Sequence, residues 1–206
     1  MFQFAQPFQG VVRHLVILNV LAYFASHILL GDISDQSLGR MELAAWPPDS
    51  GLFQPWQILT YMFMHGGPMH LAFNMLALYM LGSMVEMVWG AKRFLFFYLF
   101  CGVGSLAVHF AMQSWMMEPP APVLGASGAV YGVFVAFAYL FPNRELQLLF
   151  PPIPIKAKYF VLILVALDIF GGFSGSQSQT AHFAHLGGAL FGFLLILFWY
   201  KGRMQV

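Results

Sequence analysis

The sequence predicts an all-α membrane protein with six transmembrane helices. Three observations carry that expectation: a composition poor in charge, six long apolar runs, and basic residues gathered at alternate helix ends. Of 206 residues, 60% are hydrophobic and 8% are charged, where an ordinary soluble domain carries roughly 25% charged residues. Mean hydropathy is +0.74. Nine Lys+Arg and eight Asp+Glu cannot make a water-facing surface for a chain of this size. The composition excludes a soluble globular enzyme, a disordered linker and a nucleic-acid binder relying on a basic patch. The single cysteine, Cys101, excludes an intrachain disulfide framework and a cysteine-based zinc site.

A helix needs about 20 residues to cross a hydrocarbon layer of about 30 Å. The runs that qualify are about Val11–Leu30, Pro68–Trp89, Phe94–Gln113, Ser127–Phe141, Ala157–Gly172 and Ala181–Tyr200, with Pro68 tolerated in a first turn. Between them lie turn-forming stretches such as Trp46-Pro47-Pro48-Asp49, His65-Gly66-Gly67-Pro68, Glu118-Pro119-Pro120, Pro142-Asn143, Pro151-Pro152-Ile153-Pro154 and Gly171-Gly172. No signal-peptide cleavage pattern precedes the first run, and residues 1–206 read as one membrane domain. The fourth run is short, 15 residues or about 22 Å of helix. It should begin below the membrane surface, with the Pro119–Ala126 loop dipping toward it. Irregular backbone at that depth is tolerated only inside protein or beside a wet cavity, so a water-filled recess near Ser127 is expected. In the long loop Gly31–Gly67, Leu52-Phe53 and Trp56 to Phe63 suit the interface, with Trp46, Trp56 and Tyr61 at headgroup level.

The basic residues set the orientation. With the N-terminus inside, Arg13, Lys92, Arg93, Arg144, Lys156, Lys158, Lys201 and Arg203 all fall on the inner face and only Arg40 falls outside. Asp32, Asp35, Glu42, Asp49 and Glu118 fall in outer loops. That asymmetry is the positive-inside pattern and places both termini in the cytoplasm.

Polar side chains inside spans are costly, so each needs a reason. His70 and Asn74 share a face at i, i+4 near the start of the second helix. Ser127 and Tyr131 do the same in the fourth, as do His185, Gly188 and Gly192 in the sixth. The topology puts these helix starts at one depth on the outer side. Gly128-x-x-x-Gly132 and Gly188-x-x-x-Gly192 are small-residue faces that permit close approach. If the two faces meet, Ser127 comes within reach of His185. A serine hydroxyl is a weak nucleophile and needs a base about 2.6–3.2 Å away.

At these residues the sequence resembles the rhomboid intramembrane serine proteases. The match is Gly125-x-Ser127-Gly128 with Tyr131, His70-x-x-x-Asn74, and Ala184-His185-x-x-Gly188-x-x-x-Gly192, within about Trp56 to Gly192. The resemblance implies a six-helix, minimal bacterial-type core with a recessed fourth helix, in an inner (plasma) membrane. It implies an endopeptidase that cuts transmembrane protein substrates near the outer face by a Ser–His dyad. Ser127 resembles the nucleophile and His185 the general base; His182 does not fit the glycine spacing. His70 and Asn74 resemble oxyanion-hole donors, joined by the Ser127 N–H. Gly125 and Gly128 allow close backbone approach, and Tyr131 resembles the ring packed on the catalytic histidine. Glu86 resembles a structural glutamate near the inner end of the second helix. His65 resembles a family histidine before that helix, read as structural. The resemblance implies neither a carboxylate third member nor a cofactor, and no extra N-terminal domain or seventh helix. Where the family often has Trp-Arg in the first outer loop, this chain has Trp56-Gln57, which puts the fastening of that loop in question.

Several residues take plainer readings. His182 reads as polar lining of the cavity, and His14, His27 and His109 as interface or core. Met75, Met80, Met84 and Met87 read as lipid-facing or core packing. Asp168, late in the fifth span, has no assigned role. The polar stretch Gly171–Thr180 reads as a cap over the cavity, with Phe170 and Phe173 as a plug. Two competing functions stay open: a catalytically weak rhomboid-like binder of membrane proteins, and a metal site using His65, His70, His182 and His185. The partners expected are membrane-protein substrates and the lipid bilayer, without nucleic acid, and the oligomeric state is not legible.

Overall fold

The computed structural model describes residues 10–30, 42–147, 153–174 and 179–201. Among them are six long helices: α1 Gly10–Leu30, α2 Pro68–Trp89, α3 Ala91–Trp115, α4 Ser127–Leu140, α5 Ala157–Phe173 and α6 Gln179–Tyr200. Four of these, α1, α2, α3 and α6, are long and apolar enough to cross a bilayer. They run up and down, so the helix ends carrying Arg13, Lys92, Arg93, Arg144, Lys156, Lys158 and Lys201 gather at one side of the bundle. Asp32, Asp35, Arg40 and Arg203 lie outside the described residues, as do residues 31–41 of the expected loop Gly31–Gly67.

The basic end is built by specific contacts. Both oxygens of Glu86 accept backbone N–H groups from the first turn of α1, Val11 at 2.6 Å and Val12 at 2.9 Å. A carboxylate there satisfies donors that have no intrahelical acceptor and favours the positive end of the helix dipole. Gly10 has φ +84°, and a Cβ on it would run into the Glu86 carboxylate, so the chain enters α1 through a glycine. α3 starts three residues earlier than the apolar run suggests. Its Arg93 guanidinium lies 4.1 Å from the Trp199 ring centre and 5.6 Å from those of Trp89 and Tyr200. Such a cation over aromatic faces is held at a helix end, with its stem along apolar surface.

Opposite the basic end, the loop between α1 and α2 folds into three short helical turns, Pro48–Ser50, Gln57–Thr60 and Tyr61–Phe63. Gln57 is fully buried. Its amide donates to the carbonyls of Glu42 (3.1 Å) and Leu52 (3.2 Å), and its carbonyl accepts from the N–H groups of Trp46 (3.2 Å) and Gln54 (3.1 Å). The neutral amide thus fastens the loop at the position where the resemblance leads one to expect an arginine. Gln57→Ala should cost about 2–4 kcal/mol, because it strands several buried backbone groups at once. A clear drop in the melting temperature of the detergent-solubilised protein is the expected result, and an unchanged one would show that these bonds add nothing net.

The loop is tied to the bundle by the Tyr61 hydroxyl, which donates to the Gly102 carbonyl at 2.7 Å, and by the Ala45–Val123 bridge. A two-stranded antiparallel ribbon, β1 Glu145–Gln147 with β2 Pro154–Lys156, links α4 to α5. The proline-rich sequence there read only as a turn; Pro154, lacking an N–H, occupies the end of its strand, where a proline is tolerated. The Pro151-Pro152 turn itself lies outside the described residues.

α4 is the innermost helix. Its Gly128, Ala129, Val130, Gly132, Val133, Ala136 and Phe137 are all buried. α5 is the opposite case: in seventeen residues only Ala157, Asp168 and Gly172 are buried. Leu162, Leu167, Phe170 and Phe173 are more than half exposed, as suits a helix whose outer face meets lipid. In α2, Met75 is buried while Met80 and Met87 are exposed, so the methionine stripe is divided between core and lipid.

Candidate active site

The close approach of α4 and α6 depends on glycine. A Cβ on Gly188 would collide with the carbonyl of Gly128, and one on Gly192 would come within 3.0 Å of the Gly132 Cα. On the third side, Ser105 of α3 donates to the Ala184 carbonyl at 2.7 Å. With the helices this close, the residues one turn above the glycine contact meet. His185 Nε2 lies 3.0 Å from Ser127 Oγ. The Tyr131 ring stacks on the His185 imidazole, centroids 4.3 Å apart and planes 8° apart, which fixes the ring plane.

Ser127 is the first residue of α4, so its N–H has no intrahelical acceptor and belongs to the positive end of the helix dipole. Gly125, two residues earlier, has φ +122°. A Cβ there would sit 2.8 Å from His70 Cε1 and 2.9 Å from His70 Nε2. Only glycine permits both that backbone and the imidazole against it. The Gly66 N–H donates to His70 Nδ1 at 3.3 Å. A neutral imidazole that accepts at Nδ1 carries its proton on Nε2, the nitrogen beside the Gly125–Ser127 segment. Asn74 is buried and gives one amide hydrogen to the His70 carbonyl at 2.9 Å, leaving the other available.

These side chains line a cavity of about 250 Å³ with Phe73, Ala77, Val130 and Phe134. His70, Asn74, Ser127, Tyr131 and His185 all belong to it. His65 is buried just outside, its ring 5.0 Å from that of His70. Burial, and then the neighbouring His70, lower its pKa from 6.5 to about 4, so His65 is neutral near pH 7. Trp56 and Glu86 are not in the site. Trp56 is half exposed and donates to the Glu42 carbonyl at 3.1 Å, and Glu86 caps α1 at the opposite end. His14 and His27 bond carbonyls one turn back, and His109 is buried in α3.

One residue of the site was not read from the sequence as part of it. Asp168, buried on α5, places Oδ1 3.2 Å from His185 Nδ1 and 2.6 Å from His182 Nδ1. Asp168 thus stands beside a histidine for which the resemblance implied no carboxylate partner. The signal was present: an ionisable residue inside a span points to a functional site by default. Its partner was hidden, because it lies on another helix. Asp168, His182 and His185 also form a group whose ligand atoms lie within 4.8 Å of one another, a different set from the four histidines considered for a metal. His182 packs its ring on Gly171, and Phe173 meets Phe183 edge-on at 5.3 Å while Phe170 stays exposed. The central part of the expected cap, residues 175–178, lies outside the described residues.

The family model of the rhomboid domain matches residues 52–202. The chain belongs to the rhomboid family. It is 31% identical to Rhomboid protease GluP of Bacillus subtilis over 86% of this chain and 32% of that protein. It is 34% identical to the mitochondrial Rhomboid protein 1 of Saccharomyces cerevisiae over 66% of this chain and 40% of that one. With Rhomboid protease AarA of Providencia stuartii the identity is 27%, over 88% of this chain and 69% of the relative. The chain thus spans about a third of the first relative and two fifths of the second. Membership bears out the fold class: an all-α, multi-pass rhomboid domain. Every glycine that sets the α4–α6 contact, with Ser127 and His185, lies inside the matched rhomboid segment.

Proposed function

We propose that this rhomboid is a serine endopeptidase that hydrolyses peptide bonds of transmembrane protein substrates within the bilayer. The observation that carries the reading is the 3.0 Å contact between His185 Nε2 and Ser127 Oγ at the wall of a cavity with apolar sides. Ser127 Oγ attacks the scissile carbonyl carbon and its proton passes to His185 Nε2. The oxyanion is met by the Ser127 N–H, by His70 Nε2–H and by the remaining amide hydrogen of Asn74. His185 then protonates the leaving amine as the C–N bond breaks, leaving an acyl group on Ser127. Water gives its proton to His185 while its oxygen attacks the acyl carbon; the acyl C–Oγ bond then breaks, Ser127 Oγ takes the proton back from His185, and the new carboxyl terminus leaves. Removal of one such preorganised donor costs about 10²–10³ in rate.

The orientation follows from the positive-inside pattern: both termini cytoplasmic, the site toward the outer face of a bacterial-type plasma membrane. The test uses detergent-solubilised full chain. It should cleave a transmembrane model substrate, take one fluorophosphonate adduct on Ser127 by mass spectrometry, and keep its rate in EDTA. Cleavage without an adduct on Ser127, or loss of cleavage with the chelator, would overturn the reading in favour of a metal site. Absence of cleavage with retained substrate binding would favour the non-catalytic binder.

A further inference from the structure

We infer that Asp168 is a positioning residue for His185, so that the machinery here is a Ser127–His185–Asp168 chain. The inference rests on the roles of Ser127 and His185 proposed above. The two imidazole nitrogens of His185 face different partners: Nε2 faces Ser127 Oγ at 3.0 Å and Nδ1 faces Asp168 Oδ1 at 3.2 Å. A carboxylate accepts and cannot donate. It therefore holds the proton on Nδ1 and leaves Nε2 as the acceptor that Ser127 requires. When Nε2 takes the serine proton, the same carboxylate faces the imidazolium that forms. No proton moves to Asp168; every transfer passes through His185 Nε2.

Two further observations favour this over simple packing. Asp168 is 4% exposed on a helix most of whose residues are open to the surroundings, and its carboxylate interacts with the Tyr131 hydroxyl as well as with the two histidines. A buried carboxylate is costly, and such a group calls for a reason beyond filling space. The site also sets its two imidazoles oppositely. His70 accepts at Nδ1 and presents Nε2–H, whereas His185 donates at Nδ1 and presents a bare Nε2. One faces Ser127 as a donor and the other as a base, and the Asp168 carboxylate is the group that separates the two states.

The competing role is a tether. The shorter contact of Asp168 is to His182, and either contact could simply hold α5 against α6. Four variants of the full chain in detergent separate the roles: Ser127→Ala, His185→Ala, Asp168→Asn and His182→Gln. Asp168→Asn should lower kcat about 10²-fold, within the range for loss of acid–base assistance. KM should stay within about twofold, and the rate of fluorophosphonate reaction with Ser127 should fall in parallel. His182→Gln, outside the proton path, should stay within about fivefold of wild type. If the Ser127 and His185 variants are inactive but Asp168→Asn is as fast as wild type, the role of Asp168 falls and the dyad stands. If His182→Gln loses as much as Asp168→Asn, the carboxylate is a tether and the inference is overturned. If Ser127→Ala or His185→Ala keeps turning over, the underlying reading fails instead. A measurement on wild-type protein covers the case in which Asp168→Asn does not fold. Nitrogen-15 spectra of labelled histidine, with the His185 signals assigned by their loss in His185→Ala, should show Nδ1 protonated and Nε2 bare near neutral pH. The reverse tautomer overturns the inference.

Discussion

Ser127→Ala and His185→Ala are each expected to abolish turnover of a transmembrane substrate, by at least about 10⁴-fold in kcat, and the double variant is expected to be no slower than either alone. A loss of that size is about 5.5 kcal/mol of transition-state stabilisation at 1.36 kcal/mol per tenfold. Non-additivity is the informative part. The base removes a proton only from the nucleophile 3.0 Å away, so once either partner is gone the other has nothing to assist. Independent contributions would multiply to about 10⁸, and that outcome would mean His185 does not act through Ser127. Folding is a manageable control. Truncating His185 removes the stacked contact with Tyr131, worth about 0.5–1.5 kcal/mol for an aromatic pair. That shifts the melting temperature modestly but does not explain a loss of four decades.

The residues that sequence could place are those whose partners share a helix or a charge rule. His70 with Asn74, and His185 with Gly188 and Gly192, are separated by whole turns, so their common faces follow from helical geometry alone. The gathering of basic residues follows from the alternation of helix ends. The glycine faces then predict which helices touch. Asp168 was illegible because its relation to His185 depends on how α5 is rotated about its own axis. With most of α5 apolar and exposed, nothing in its sequence fixes that rotation except Asp168 itself. Gln57 left the fastening of its loop open for another reason. A family arginine suggests charge-assisted bonds, yet a buried amide with two donors and two acceptor sites serves four backbone groups without the desolvation a guanidinium would suffer. The early start of α3 was missed because a search for apolar runs discards Lys92 and Arg93, while the folded chain seats Arg93 on aromatic rings.

Gly188→Ala is expected to reduce activity by about 10²-fold or more, and Gly188→Val to prevent stable folding. The reason is geometric. A Cβ on Gly188 meets the Gly128 carbonyl oxygen at a separation no real contact adopts, and lies 2.6 Å from the carbonyl carbon and 3.1 Å from the Cα. All three are backbone atoms in the first turn of α4, so no side chain can rotate aside and the helices must part. Overpacking a core costs about 1–3 kcal/mol when side chains can adjust, and a backbone contact belongs at the upper end. Gly128 adjoins Ser127, and Gly188 is one turn from His185. A separation of even 1 Å therefore stretches the 3.0 Å contact beyond hydrogen-bonding range, and misplacement by that much can itself cost about 10²-fold. Gly67→Ala is the matched control. Its φ of 178° is extended backbone, a Cβ there meets nothing within 4 Å, and it too stands at the end of the bundle that carries the site. Activity and melting temperature measured together on the three variants test the claim. Wild-type turnover by Gly188→Ala would mean that the glycine contact does not set the distance between Ser127 and His185. Equal losses from Gly67→Ala and Gly188→Ala would mean that the site is sensitive to any glycine replacement nearby rather than to the α4–α6 approach.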